Sequence, residues 1–487
     1  MTKFISKMVD IGFGTLFLIA TIIALAGSYL ILNNIFGFAA ISMVLIVGSA
    51  LLICYLLHRA EKCLKTRDKL CVRIIYILPI VLLIFQILFV LLVDYTPRND
   101  LSHVCKGAEN FVKYGIDSIH NGLPERHQHY FYVYPNNHML LMIISGLYKI
   151  SYELTGEVSN FLPTVLNIVS LNLAYIFMIA SARLIYDPAK TVICAIRGLM
   201  FVPIITYAHI FYTDSFGMLF VSLGIYLYLK FRKECNFKKQ ILWLVSCGSV
   251  IAVGYKMKGS LIVLLAAIII DVIIHKSSIK AKLAKIATLV TVFSVIVLLV
   301  SMTIMSVFDF SKEELEKYQF PMIHWVMMTA DKHGGYNVDD FYYTKSFDGT
   351  QSKTDADIKR LEEKLRNQGV SGFGKHIVIK AWYTWSDGRY MSSYYYKDSK
   401  FLNSKAFYVI AGALHFALMF LILQSFIAKW RKRTISIDKN MFLKICLCGL
   451  FVFLLLWEAR NRYCISFMAL FAMIQSDPEE SYEQKRG

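Results

Sequence analysis

No CxxC motif and no Cys/His spacing of the zinc type occurs anywhere in this 487-residue sequence, although it holds ten cysteines. Only Cys105 falls in a segment expected outside the cell, so a disulfide framework is not expected. His324 and His333 likewise lack a partner pattern for a metal. There is no internal repeat and no low-complexity segment, which removes solenoids and disordered tails from consideration. Charge is scarce as well. Asp, Glu, Lys and Arg make up 18% of the chain, against about 25% in soluble globular domains. Every soluble class is disfavoured by that shortage.

What fills the space is apolar. Hydrophobic residues reach 56% and the mean hydropathy is +0.52, values that point to an all-α, polytopic integral membrane protein. Stretches of roughly bilayer length occur near 9–32, 37–57, 74–93, 136–154, 161–182, 191–212, 215–230, 241–256, 259–274, 286–308, 404–427, 441–457 and 463–475. The first follows Lys3 and Lys7 without a small-residue cleavage pattern behind it, so it reads as a retained helix. The net charge of +18 does not imply nucleic acid. Much of the Lys and Arg sits in short loops: Arg59, Lys62, Lys65, Arg67, Lys69 and Arg73 in the first, then 232–239, 276–285 and 430–439. That placement is the positive-inside signature of cytoplasmic loops.

Propagated along the chain, it puts both termini inside. Residues 94–135, Asp214, the Lys256–Lys258 turn, the 309–403 loop and the stretch 458–462 lie outside. Between two of these outer points three apolar segments occur, where only an even number of crossings is allowed. The cytoplasmic turn is therefore placed near 183–190, and 136–154 is expected to be re-entrant or to pack on the outer side. About twelve crossings follow. Four regions are expected: 1–73 with two spans and a basic loop, a core at 74–308, a small outer loop region at 309–403, and the last spans and tail at 404–487.

The outer segments carry the candidate chemistry. In LLVDYTPRNDLSHVCKGAENF (91–111), Leu101, Val104, Ala108, Phe111 and Val112 recur at helical spacing, with Asp100 in the N-cap position and Gly115 as a stop. Such a helix would lie in the interface with its apolar side in lipid. Carboxylates at a span end are costly, which singles out Asp94, Asp100 and, in FYTDSFG, Asp214. Cations at the same face are Lys256 and Lys258 in GYKMKGS, and Arg460 and Arg462 in WEARNRY. A carboxylate there suits a general base acting on an acceptor hydroxyl; the cations suit a phosphate and the charge on a leaving group. Capping by Asp100 and Asp214, span termination at Asp94 and interface snorkelling by the cations are the structural alternatives. Trp325, Trp382, Trp385 and Tyr383 are candidates to stack on sugar rings, or to form an interface belt. In the outer loop, Ser311 with Glu314 forms a capping box, and a second helix is expected over 355–368 with Gly369 after it.

An acid in the first outer loop, followed by an amphipathic helix, resembles the GT-C superfamily of membrane glycosyltransferases. YPNNHMLLMIISGLY (134–148), FYTDSFG and WEARNRYCISFMALFAM are similar to its later motifs. HWVMMTADKHGGYNVDD (324–340) is similar to a segment of Gram-positive bacterial members related to the protein O-mannosyltransferase and aminoarabinose transferase families. Leu101 follows Asp100, so a paired acid is absent at that point, and two spans precede the first core helix. The resemblance implies a polyprenyl-phosphate-linked sugar donor, an inverting single displacement, and Asp100 as base, with Asp94 second and Asp214 at the second acidic position. No cofactor is expected beyond the lipid-linked substrate, with a divalent cation left open and not indicated by the residues. The acceptor would be a glycan such as a cell-wall or surface polysaccharide, at the plasma membrane. A lipid or sugar transporter is the main non-enzymatic alternative, although its ionisable groups would cluster near midplane in repeated halves. A polymerase or ligase using a diphosphate-linked donor is the enzymatic one.

Overall fold

The computed structural model describes residues 7–37, 39–275, 277–331, 334–432 and 440–475. The basic stretch 433–439, Lys276, His333 and the tail from 476 lie outside the described residues. The described elements are all helical. Numbered here are α1 (Gly14–Phe36), α2 (Ala39–Leu64), α3 (Asp68–Leu92), α4 (Asp100–Tyr114), α5 (His138–Thr155), α6 (Phe161–Ile185), α7 (Pro188–Met200), α8 (Thr213–Lys233), α9 (Phe237–Met257), α10 (Ile262–Ile274), α11 (Ile279–Phe308), α12 (Thr350–Trp385), α13 (Lys405–Lys432) and α14 (Met441–Leu456).

Among the described residues, eight helices are long and apolar enough to cross a bilayer: α1 with the turn before it, α2, α3, α6, α8, α9, α11 and α13. The segments 259–274 and 441–456 are apolar but shorter. Their burial separates core from periphery. α8 is 72% buried along its apolar window, lying between α6 and α9, whereas α11 is only 6% buried. Val295, Leu298, Leu299 and Met302 of α11 face outward. An all-round apolar helix so little packed is stable only in lipid.

Three of the thirteen apolar stretches do not form spanning helices of this kind. α5 is not among the candidate spans and packs instead along α4, in keeping with a segment that does not cross. The stretch 191–212 is not one helix. α7 stops at Met200, and Pro203, which has no N–H to donate, opens a short turn at Pro203–Thr206. The carbonyls this break frees are taken up by side chains from neighbouring helices. Gln86 Nε2 donates to Ile204 O at 2.6 Å, Asn167 Nδ2 donates to Tyr207 O at 2.6 Å and Ala208 O at 2.8 Å, and the Tyr396 hydroxyl donates to Thr206 O at 2.7 Å. Irregular backbone at membrane depth is tolerated only when protein satisfies it in this way. The stretch 463–475 is broken too, into a 3-10 turn at Asn461–Phe467 and a short helix at Met468–Met473. Here Arg197, fully buried on α7, donates to Phe471 O and Ile474 O, both at 2.7 Å.

The 309–403 region has two parts. Ser311 does cap its helix, accepting from Glu314 N–H at 3.3 Å. α12 starts earlier than expected and is kinked at Gly369, whose φ of 59° breaks the helical path. Beyond the kink it descends along α1, where Gly27 leaves a notch filled by Trp382 and Ser386. The following turn at Gly388 lies against the backbone of Ala411 on α13.

Candidate active site

α4 forms for the expected reasons. Leu101, Val104 and Ala108 fall on one face, and Gly115 ends the helix at a φ of 86°. Two expectations about it need correction. Its apolar face is buried against protein: Gly107 lies so near the Phe131 ring that a Cβ would sit 2.5 Å from it, and Phe111 meets Phe308 at 4.9 Å. Amphipathic periodicity marks an apolar face without saying whether lipid or protein covers it. Asp100 is not the N-cap either. That position belongs to Asn99, at a φ of 53° and without a side-chain capping bond; positive φ is more common in Asn than in most residues.

Freed from capping, the Asp100 carboxylate turns to two phenols. The Tyr130 hydroxyl donates to Oδ1 at 3.1 Å and the Tyr212 hydroxyl to Oδ2 at 3.3 Å. Burial holds both phenols far above the ordinary tyrosine range, and the neighbouring Asp100 adds to it. They are therefore permanent O–H donors. Arg462 lies 3.8 Å from Oδ2, donates to the Tyr395 hydroxyl at 2.8 Å and stands over the Tyr212 ring. The Asp100 side chain remains 36% exposed.

Asp214, near the start of α8, is also brought here but is wholly buried and ion-paired with Lys258, which lies 4.5 Å over the Tyr463 ring. At the start of α8 the Ser215 hydroxyl accepts from Tyr212 N–H at 3.2 Å, and Asp214, with one oxygen on Lys258 and the other without a hydrogen-bond partner, does not cap the helix. Arg460 pairs with Glu458 at 2.7 Å, and Glu458 also accepts from the Tyr463 hydroxyl. Lys256, in the last turn of α9, is half-buried and makes no ion pair among the described residues. Asp94 is exposed at the end of α3, apart from the cluster.

The three tryptophans separate. Trp325 lies 5.8 Å from the Tyr134 ring, which in turn lies 5.0 Å from Tyr130, so it borders the site. Trp385 is packed among Phe17, Phe451 and Phe471 at 2% exposure. Trp382 fits the Gly27 notch. Helix packing occupies the faces that a sugar would need on these two.

A buried carboxylate-and-cation cluster thus lies beside the partly exposed Asp100. The family described as conserved hypothetical integral membrane protein matches residues 1–478. The chain belongs to that family. No curated protein matches its sequence. Two solved structures are similar to this family member. One is the Archaeoglobus fulgidus oligosaccharyltransferase in complex with Zn and sulfate, at 14% identity over 82% of this chain and 48% of that one, TM-score 0.43. The other is the archaeal oligosaccharyltransferase AglB from Archaeoglobus fulgidus with an inhibitory peptide and a dolichol-phosphate, at 14% identity over 84% and 50%, TM-score 0.45. The chain spans about half the length of each.

Several residues of this family member's site escape sequence reasoning. Tyr212 lies in FYTDSFG, two positions before the candidate Asp214, and Asn137 lies in YPNNHM, where no residue is a candidate. Glu458 sits in WEARNRY. Lys380 is a lone cation in the apolar run 377–385. It donates to the Thr329 hydroxyl at 3.0 Å, and burial pulls its ammonium down to about 8, with Glu458 opposing. Among the described residues, no three His, Cys, Asp or Glu side chains converge as a metal would require.

Proposed function

We propose that this chain is a GT-C-type glycosyltransferase, moving one sugar from a polyprenyl-phosphate-linked donor to an acceptor hydroxyl at the outer face of the plasma membrane. The observation that carries this reading is Asp100: a reachable carboxylate, bonded by a phenol on each oxygen, with the Arg462 guanidinium beside it. A base needs an accessible oxygen and a fixed direction, and this arrangement supplies both.

The reaction is a single displacement. The acceptor O–H gives its proton to Asp100, and the oxygen's electron pair forms the new bond to the anomeric carbon from the side opposite the phosphate. The bond from that carbon to the phosphate oxygen breaks and leaves its pair on the phosphate, inverting the configuration. Arg462 and Lys256 are the cations with charge to spare for that phosphate. Lys258 and Arg460 are engaged by Asp214 and Glu458 and support the pocket's shape and field. Trp325 is placed to meet a sugar ring, and the acceptor class is a cell-wall or surface glycan. With the basic loops cytoplasmic, the site lies outside and both termini inside.

The test is consumption of purified lipid-linked sugars, presented one at a time with a glycan acceptor, read as release of free polyprenyl phosphate. Turnover of a monophosphate-linked hexose or N-acetylhexosamine supports the reading. Turnover of a diphosphate-linked donor alone replaces it with a polymerase or ligase. Movement of substrate across vesicles with no turnover replaces it with a transporter.

A further inference from the structure

Between the two phenols that hold Asp100 lies Asn137, at the turn leading into α5. Its Nδ2 donates to the Tyr130 oxygen at 2.7 Å, and its Oδ1 lies 3.3 Å from the Tyr212 oxygen. Asn137, Tyr130 and Tyr212 are all buried, at 1%, 1% and 4% exposure. Buried this deeply, Asn137 and the two phenols find their hydrogen-bond partners in one another and in Asp100.

The hydrogens can be counted. A phenol carries one proton and accepts through its lone pairs. Tyr130 receives the Asn137 N–H on its oxygen, so its own proton is committed to Asp100 Oδ1. Tyr212 has one proton and two acceptors at the same 3.3 Å, Asp100 Oδ2 and Asn137 Oδ1. Both separations are long for a hydroxyl hydrogen bond, whose usual length is about 2.7–2.8 Å. One proton shared between two acceptors matches that geometry.

We propose that Asn137 is a positioning residue that fixes Tyr130 as a constant donor to Asp100 and gives the Tyr212 hydroxyl a second place to turn. The proposal rests on Asp100 being the base. While Asp100 is a carboxylate, both phenols donate to it. When it takes the acceptor's proton on Oδ2 and the new Asp100 O–H turns away from the glycosidic oxygen toward the Tyr212 oxygen, two hydrogens cannot occupy one line. Tyr212 then rotates its O–H onto Asn137 Oδ1 and accepts from Asp100 with a lone pair. No covalent bond to Tyr212 or Asn137 changes, and every polar atom keeps a partner before and after the transfer. Without Asn137 the protonated state would leave the Tyr212 hydrogen buried and unbonded, a cost borne only after proton transfer and therefore in the rate.

Steady-state kinetics of full-length Asn137→Asp, Asn137→Ala and Tyr212→Phe test this with the lipid-linked donor that wild-type protein turns over. Asn137→Asp keeps the shape but accepts from both phenols, drawing their protons from Asp100. It is expected to lose at least about tenfold in kcat, part of the ~10²–10⁴ that a general base supplies, with KM for donor and acceptor unchanged. Asn137→Ala combined with Tyr212→Phe is expected to lose no more than the worse single variant, because both remove the same alternative bond. Wild-type kcat in both Asn137 variants overturns the proposal, and so does a double-variant loss equal to the product of the single losses. Asp100→Asn, run alongside, separates the two levels. If it is inactive while the Asn137 variants are not, only the role of Asn137 falls; if it is active, the reading of Asp100 itself falls. Should the Asn137 variants not fold, Tyr212→Phe decides by itself: unchanged kcat overturns the proposal.

Discussion

Replacing Lys258 with Met probes the most deeply buried charge pair at the site. The Asp214 carboxylate is wholly buried, with one oxygen on Lys258 and the other without a hydrogen-bond partner, whereas the Lys258 side chain retains 11% exposure and the face of Tyr463. Removing one member of a buried pair costs about 3–5 kcal/mol when the other is stranded. Lys258→Met strands a carboxylate with no route to water and takes that full range. Asp214→Asn strands an ammonium that reaches solvent and keeps its cation–π contact, so its loss is expected nearer about 1–3 kcal/mol. The double variant removes both charges and is expected within about 1 kcal/mol of wild type, since replacing a whole buried pair is often neutral. Thermal melts in detergent, followed with a thiol-reactive dye once the exposed Cys63 and Cys235 are replaced by Ser, read this because Cys71, Cys105, Cys194, Cys247, Cys446 and Cys464 are buried and free in the fold. The predicted order of melting is wild type and double variant together, then Asp214→Asn, then Lys258→Met. The reasoning is refuted if Lys258→Met melts no lower than Asp214→Asn, or if the two losses add in the double variant.

Three further outcomes follow from other contacts. A Cβ at Gly27 would lie 2.2 Å from Trp382 Cδ1 and 2.3 Å from Ser386 Oγ, while one at Gly48 meets nothing within 4 Å. Gly27→Ala should therefore destabilise by about 1–3 kcal/mol and expose α12 to protease, with Gly48→Ala neutral or stabilising; equal melts for the two would count against the α12 packing. In the 309–403 region, Thr344 links His324 at 2.7 Å and Asp357 at 2.6 Å. Burial raises the Asp357 carboxyl to about 6 from 3.8 and lowers His324 to about 3 from 6.5. The folded state thus binds the Asp357 proton more tightly and the His324 proton less tightly than the unfolded chain. Stability from Asp357 falls as pH rises from about 4 to 6, and stability from His324 rises over the same window. Asp357→Asn should give a melting temperature that climbs with pH there, and His324→Gln one that declines; slopes of the opposite sign in pH-scanned melts would contradict the assignment.

Much of the bundle was legible because hydrophobic runs of fixed length are a property of local sequence. The spans 39–64, 161–185 and 405–432 lie where their apolar stretches predict. Breaks within apolar runs were not legible. Nothing in the 191–212 run says that Gln86 and Asn167, from two other helices, will bond its freed carbonyls. The 463–475 run likewise gives no sign of Arg197. Such breaks are stabilised by residues more than a hundred positions away in most cases, and Pro203 is the one local mark. The site shows the same division. Residue type and position brought out Asp100, Asp214, Lys258 and Arg462 as a group, and the fold brings those four together. Their pairing was not legible, because Asp100 could cap a helix or face a cavity with the same sequence around it. Asn99 stands at the N-cap position, and Tyr130 and Tyr212 turn a span-end acid into an oriented one. Aromatic residues were the least readable: Trp325 and Trp385 are equivalent in sequence terms, yet one borders the site and the other fills the bundle.

The most direct measurement is release of polyprenyl phosphate from a monophosphate-linked sugar by purified wild-type protein and by Asp100→Asn, with matched melting curves to show that both are folded. The account predicts turnover by wild type and a loss of about 10²-fold or more in the variant, with the donor still bound. Wild-type rates from a folded Asp100→Asn protein would contradict it.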